Sequence, residues 1–207
     1  MIACGALGGH IRELAASRGW DIQVRTLPSI LHNSPREIAP LAELHAAELQ
    51  RAGYTVALAY ADCGTYGALD EVCERLNLRR LPGLHCYDVF AGPERIEAEL
   101  AAEPGTYLLT DFLVRSFRFS VLEPLGLDRY PELWPDYFGH YRRIVWLASE
   151  PDPGMAAEAE RVAGLFGLPL TRIDVGTQRL ERAVANLLAD AAARGAGAAA
   201  SASGDPW

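Results

Sequence analysis

The 207-residue chain contains no lysine, and its 19 basic residues are all arginine. Schiff-base catalysis and a lysine-bearing phosphate loop are thereby excluded. No stretch reaches the roughly 18 unbroken apolar residues that a membrane span requires, so no membrane partner is expected. No basic cluster offsets the net charge of −8, which argues against a nucleic-acid partner. No basic segment precedes an apolar one, so no signal peptide is expected and the location is read as cytoplasmic. The four cysteines include no C-x-x-C pair, and in a reducing compartment they are thiols or metal ligands rather than disulfides. No period of about 20–50 residues recurs, which rules out a solenoid.

What is present is an ordinary globular composition, half hydrophobic and 22% charged, in a chain long enough to bury a core. Short apolar runs alternate with helical spacing. Strands are predicted at Met1–Ala3, Asp21–Leu27, Thr55–Ala61, Thr106–Thr110, Ile144–Ala148 and Leu170–Val175. Helices are predicted over Gly5–Arg18, Pro40–Arg51, the stripe Leu69, Val72, Cys73 and Leu76, Pro93–Glu103, Phe112–Leu122, Met155–Phe166 and Thr177–Ala193. The alternation indicates an α/β fold, doubly wound on a mainly parallel sheet, an order that two similar halves would also satisfy. The expected organisation is a single domain over 1–193 with a disordered tail over 194–207, where the residues are small and polar.

Three cysteines carry the candidate chemistry. Cys4 follows the first strand, Cys63 the third, and Cys86 lies in Leu84-His85-Cys86-Tyr87, read as a loop or short strand. In parallel sheets ligands bind at the carboxyl ends of strands, so Cys4 and Cys63 are expected at one edge. With His32 and His85 they make a candidate metal set: zinc on thiolates and imidazole, or an iron–sulfur cluster on three thiolates with one iron open. Cys73 falls on the apolar stripe of its helix and is read as core. Asp62 and Asp111, at strand ends, are candidate catalytic carboxylates whose plainer role is to cap the turns that follow. His10 and His45 fall on helix faces read as solvated.

Two other readings stand beside the metal site. In one, a cysteine pair works without metal, one thiolate removing a proton from a carbon acid while the opposed thiol returns one. In the other, the protein is a metallochaperone or a partner protein. The aromatic segment Asp128–Tyr141, with Tyr130, Trp134, Tyr137, Phe138 and Tyr141, would then be a homodimer or partner interface, and otherwise a lid or core. The expected small-molecule partner is of unknown identity.

The segments Ile2-Ala3-Cys4-Gly5-Ala6-Leu7, Leu31-His32-Asn33-Ser34-Pro35, Tyr60-Ala61-Asp62-Cys63-Gly64-Thr65, His85-Cys86-Tyr87 and Leu108-Leu109-Thr110-Asp111-Phe112 together resemble a bacterial and archaeal domain-of-unknown-function family. Some of its members occur near genes for corrinoid-dependent methyl transfer, so the resemblance implies one-carbon metabolism as a setting and a methyl-transfer protein as a partner. The Asp-x-His-x-x-Gly corrinoid motif is absent. Cys63-Gly64-Thr65 also resembles the first motif of the cofactor-independent two-cysteine racemases, whose Gly-x-Thr-His partner is absent here.

Overall fold

The computed structural model describes residues 1–149 and 152–202, with side chains through Arg194. The chain forms two compact units, Met1–Val89 with the chain from Leu180 onward, and Phe90–Arg179. The α/β class is as the sequence indicates. The parallel strands form two three-stranded sheets rather than one continuous sheet.

In the first unit, β1 (Ile2–Cys4), β2 (Arg25–Leu27) and β3 (Leu58–Ala59) form a parallel sheet of order β2-β1-β3. Ile2 is in register with both Arg25 and Leu58. β1 is central and only three residues long, so its neighbours pair over far less than the runs Asp21–Leu27 and Thr55–Ala61. The rest of the third run stays buried from Val56 to Ala61. Connections run through α1 (Gly5–Arg18), α2 (Ile38–Arg51) and α3 (Ala68–Arg75). Gly19 closes α1 in the left-handed region, its N–H donating to Ala15 O. A single parallel bridge, Leu58 to Arg80, lays the next stretch beside β3.

That stretch ends in α4 (Cys86–Ala91), so Cys86 opens a helix instead of lying in a loop or strand. The Asp88 carboxylate accepts from Leu84 N at 2.7 Å and His85 N at 3.0 Å, which satisfies donors that a helix start leaves open. His10 differs from expectation too: it is buried on α1. The last helix, α9 (Gln178–Ala202), runs past Ala193 and through part of the expected tail, while residues 203–207 lie outside the described residues.

The second unit holds α5 (Pro93–Ala102), β4 (Thr106–Thr110), α6 (Asp111–Phe117), α7 (Trp134–Phe138), β5 (Arg143–Ala148), α8 (Pro153–Phe166) and β6 (Leu170–Asp174). Its parallel order is β4-β5-β6, and central β5 is buried along Ile144–Ala148 as a two-faced strand should be. The aromatic segment feeds this core: the Trp134 ring is tilted on Phe138 and edge-on to Phe166, with centroids 4.8 and 4.9 Å apart, and Tyr141 meets Tyr107 edge-on at 5.1 Å. Pro131 and Pro135 each lie in the first turn of a separate short helical segment, where a proline is tolerated. Tyr130 and Tyr137 remain exposed. Among the described residues no helix is long and apolar enough to cross a membrane.

Candidate functional site

The candidate site is at the carboxyl edge of the β2-β1-β3 sheet. Cys4 is the residue at which β1 becomes α1, with φ −57° and ψ 139°. A Cβ on Gly5 would stand 2.8 Å from Ser29 N and 2.9 Å from Leu27 O. The backbone after Cys4 therefore packs directly on the backbone leaving β2, which leads into the 3-10 turn Ser29–Asn33 that carries His32. A Cβ on Gly64 would lie 3.5 Å from Pro35, so the turn after β3 borders the same segment.

That turn is unusual. Cys63 and Tyr66 both adopt φ of 53°, and Gly64 and Gly67 are also left-handed. For residues other than glycine this backbone is rare and costs on the order of 1–3 kcal/mol each. The Asp62 carboxylate offsets the cost: it accepts from Thr65 Oγ1 at 2.8 Å, Tyr66 N at 3.1 Å and Gly67 N at 2.9 Å. Cys63 N donates to Leu84 O at 2.7 Å and Asp62 N to Gly83 O at 3.1 Å. These two bonds tie the turn to the segment that delivers His85 and Cys86. Burial alone would raise the Asp62 pKa, but the bonds from Gly67, Thr65 and Tyr66 and the charge of Arg80 outweigh it and hold the group below its usual value. Asp62 thus shapes the loop that presents Cys63, and its oxygens are engaged by that loop.

Cys4, Cys63 and Cys86 are free thiols, all buried, and close enough that the charges of Cys4 and Cys63 would act on Cys86 and that of Cys4 on Cys63. Burial pushes all three thiols up, Cys63 to about 12 with Cys4 as the next cause. Backbone donors oppose this: Ala6 and Leu7 on Cys4, Cys86 and Ala61 on Cys63, and Cys86 and Tyr87 on Cys86. Among the described residues, no cationic side chain is a cause of these shifts. Cys73 is buried elsewhere, on α3, where Arg80, Asp70 and Arg79 are the charges that reach it.

The two histidines occupy the rim. His32 and His85 are exposed, and partial burial followed by the charge of His85 lowers the His32 pKa. His85 stacks on Tyr87, with ring centroids 6.1 Å apart. Tyr66, 96% exposed, and Leu84, which precedes His85 in the chain, are exposed apolar side chains. Among the described residues, no three Cys, His, Asp or Glu side chains converge closely enough to share one metal ion.

Asp111 belongs to the second unit and has a structural occupation there. Its carboxylate accepts from Trp146 Nε1 at 2.7 Å and from Ser149 N at 3.0 Å and Ser149 Oγ. It ties β4 to the end of β5, while Thr110 caps α6 by accepting from Leu113 N.

The sequence reading missed Tyr60. It is 1% exposed, and burial, then the charges of Cys4 and Cys63, drive its phenol pKa upward. Its hydroxyl is beside the Cys4 thiol, a contact that lowers the Cys4 pKa and adds to the rise of its own. The available signal was a tyrosine closing the run of small and aliphatic residues from Val56 to Ala59, since a buried phenol needs somewhere to donate.

The fold is that of a parallel α/β protein, and Cys4, Cys63 and Cys86 are buried free thiols in its first unit. The chain matches, over residues 26–184, a family described as "Protein of unknown function (DUF1638)", and it belongs to that family. The match includes His32, Cys63, His85 and Cys86 and begins after Cys4. No curated protein and no solved structure matches the chain.

Proposed function

We propose that Cys4, Cys63 and Cys86 are ligands of a metal centre, an iron–sulfur cluster held by three thiolates with one iron open to an exchangeable ligand. The observation that carries this reading is the gathering of three buried thiols whose pKa values, among the described residues, are raised by burial with no cation among the causes. Nucleophilic or acid–base cysteines work as thiolates in electropositive settings, and this site raises its thiol pKa values instead. That weighs against metal-free catalysis by a cysteine pair. A metal supplies the missing charge and binds thiolates in place of protons. A cluster spreads its ligands over several irons, which suits sulfurs that do not converge on one point better than a single zinc does.

Exposed His32, kept neutral by its lowered pKa, is available as the exchangeable fourth ligand, with His85 beside it facing an incoming small molecule. The open iron would bind that molecule or pass electrons. The four free cysteines fit a cytoplasmic, reducing location. One-carbon or methyl-transfer metabolism is the setting carried over from the family resemblance, with a methyl-transfer protein as partner. Exposed Tyr130 and Tyr137 are the residues of the aromatic segment available for a partner or homodimer contact.

Anaerobic purification and reconstitution, followed by iron and sulfide analysis and a visible spectrum, test the reading. Cys4→Ser, Cys63→Ser and Cys86→Ser should each lose most of the bound iron, and Cys73→Ser should retain it. Colourless protein without iron after reconstitution, or equal iron in all four variants, would sink the proposal.

A further inference from the structure

Cys63 and Cys86 are brought together by the backbone. Cys63 N donates to Leu84 O at 2.7 Å and Asp62 N to Gly83 O at 3.1 Å, so the segments carrying the two thiols are bonded side by side. The N–H of Cys86 acts on both sulfurs, its own and that of Cys63. A disulfide forms readily only where the backbone already holds two cysteines at close range, and these bonds supply that constraint. Cys4 is placed differently: it is the last residue of β1, 1% exposed, and its thiol is engaged by the N–H groups of Ala6 and Leu7 at the start of α1. Cys63 lies in the turn of left-handed residues that also carries Tyr66, 96% exposed, so opening of that turn brings its sulfur to solvent.

We infer that Cys63 and Cys86 form a redox-active dithiol that exchanges with low-molecular-weight disulfides of the glutathione class. When the turn opens, Cys63 gives its proton to solvent and its thiolate attacks one sulfur of the small disulfide, whose other sulfur leaves as a thiolate. Cys86 then gives up its proton and attacks the Cys63 sulfur of the mixed disulfide, and the second small thiolate leaves. The protein loses two protons and two electrons, and the small disulfide becomes two thiols. The inference goes beyond the iron–sulfur reading and does not depend on it. Burial disfavours the thiolate at both positions, so the reduced pair lacks the stabilised thiolate that makes a dithiol strongly oxidising. The closed disulfide therefore resists reduction, and its formation is slow, limited by opening of the turn.

The test uses the reduced full-length protein, treated with a chelator and checked for its fold by circular dichroism. It is incubated with excess oxidised glutathione, alkylated, and digested without reduction for mass spectrometry. Wild type should yield a Cys63–Cys86 cross-linked peptide, with Cys4 and Cys73 alkylated, and Cys4→Ser should close the same pair. Cys86→Ser should carry glutathione on Cys63 at about ten times the wild-type level or more, because the intramolecular second step is gone. Asp62→Ala, which loosens the turn, should close the pair about tenfold faster. A cross-link between Cys4 and Cys63 overturns the inference. So does a folded wild type that keeps every cysteine alkylatable, or one that holds glutathione on Cys63 without the cross-link. Iron and sulfide analysis after reconstitution decides the cluster separately, so either reading can fail while the other stands.

Discussion

Asp62→Ala probes the turn that presents Cys63. The carboxylate accepts three hydrogen bonds, from Thr65 Oγ1, Tyr66 N and Gly67 N, and two of these donors belong to left-handed residues. Bonds to a charged acceptor contribute about 1.5–3 kcal/mol each. The carboxylate is covered by its own turn, but Tyr66 is fully open to water, which will hydrate part of what is lost. The expected destabilisation is about 2–4 kcal/mol, read by urea unfolding of the metal-free protein. Asp62→Asn, with one carbonyl oxygen left to accept, should lose roughly half of that. The depressed Asp62 pKa fixes the sign of the pH dependence: its contribution is complete above the unfolded value of about 3.9 and is lost as pH falls through the lower folded value. Both variants should lack this acid-limb dependence. Alkylation of Cys63 should quicken by about tenfold or more in Asp62→Ala, since a turn weakened by about 1.4 kcal/mol opens tenfold more often. An alanine variant within about 0.5 kcal/mol of wild type, with Cys63 alkylated at the wild-type rate, would refute the reasoning.

Three further predictions concern the buried polar groups. In the metal-free protein at pH 8 the Cys63 thiolate is a minor species, four units below its value of about 12 and so about one molecule in 10,000. Iodoacetamide modification should rise about tenfold per pH unit between roughly pH 8 and 10, and a plateau reached below pH 9 would refute the assignment. Because all three thiols are raised, their contribution to stability is complete below the unfolded value of about 8.5 and is lost as pH rises toward the folded values. Asp111→Ala leaves Trp146 Nε1 and Ser149 N without the acceptor they share and should destabilise the second unit by about 2–4 kcal/mol. Iron content should not change, and loss of iron from a folded Asp111→Ala protein would show that this carboxylate serves more than the fold.

The α/β class was legible in the sequence because alternating strand and helix periods are local properties. The placement of Cys4 and Cys63 at one edge was legible too, since parallel strands end on the same side. The helical spacing that put Cys73 on an apolar stripe was likewise enough to separate it from the other three. The extent of pairing was not legible: β1 offers only three residues to its neighbours, and no neighbour's sequence carries that limit. Nor was the helix at Cys86, which depends on Asp88 reaching back to two N–H groups. Asp62 was visible as a cap or a catalytic group, and the capping role shows only in the three donors folded around it. The bond that Asp111 accepts from Trp146 was not legible either, since Trp146 is distant in sequence and adjacent in the sheet. Tyr60 gave the weakest local sign of all. A tyrosine at the end of a buried strand is ordinary, and only the tertiary structure puts its hydroxyl beside the thiols of Cys4 and Cys63.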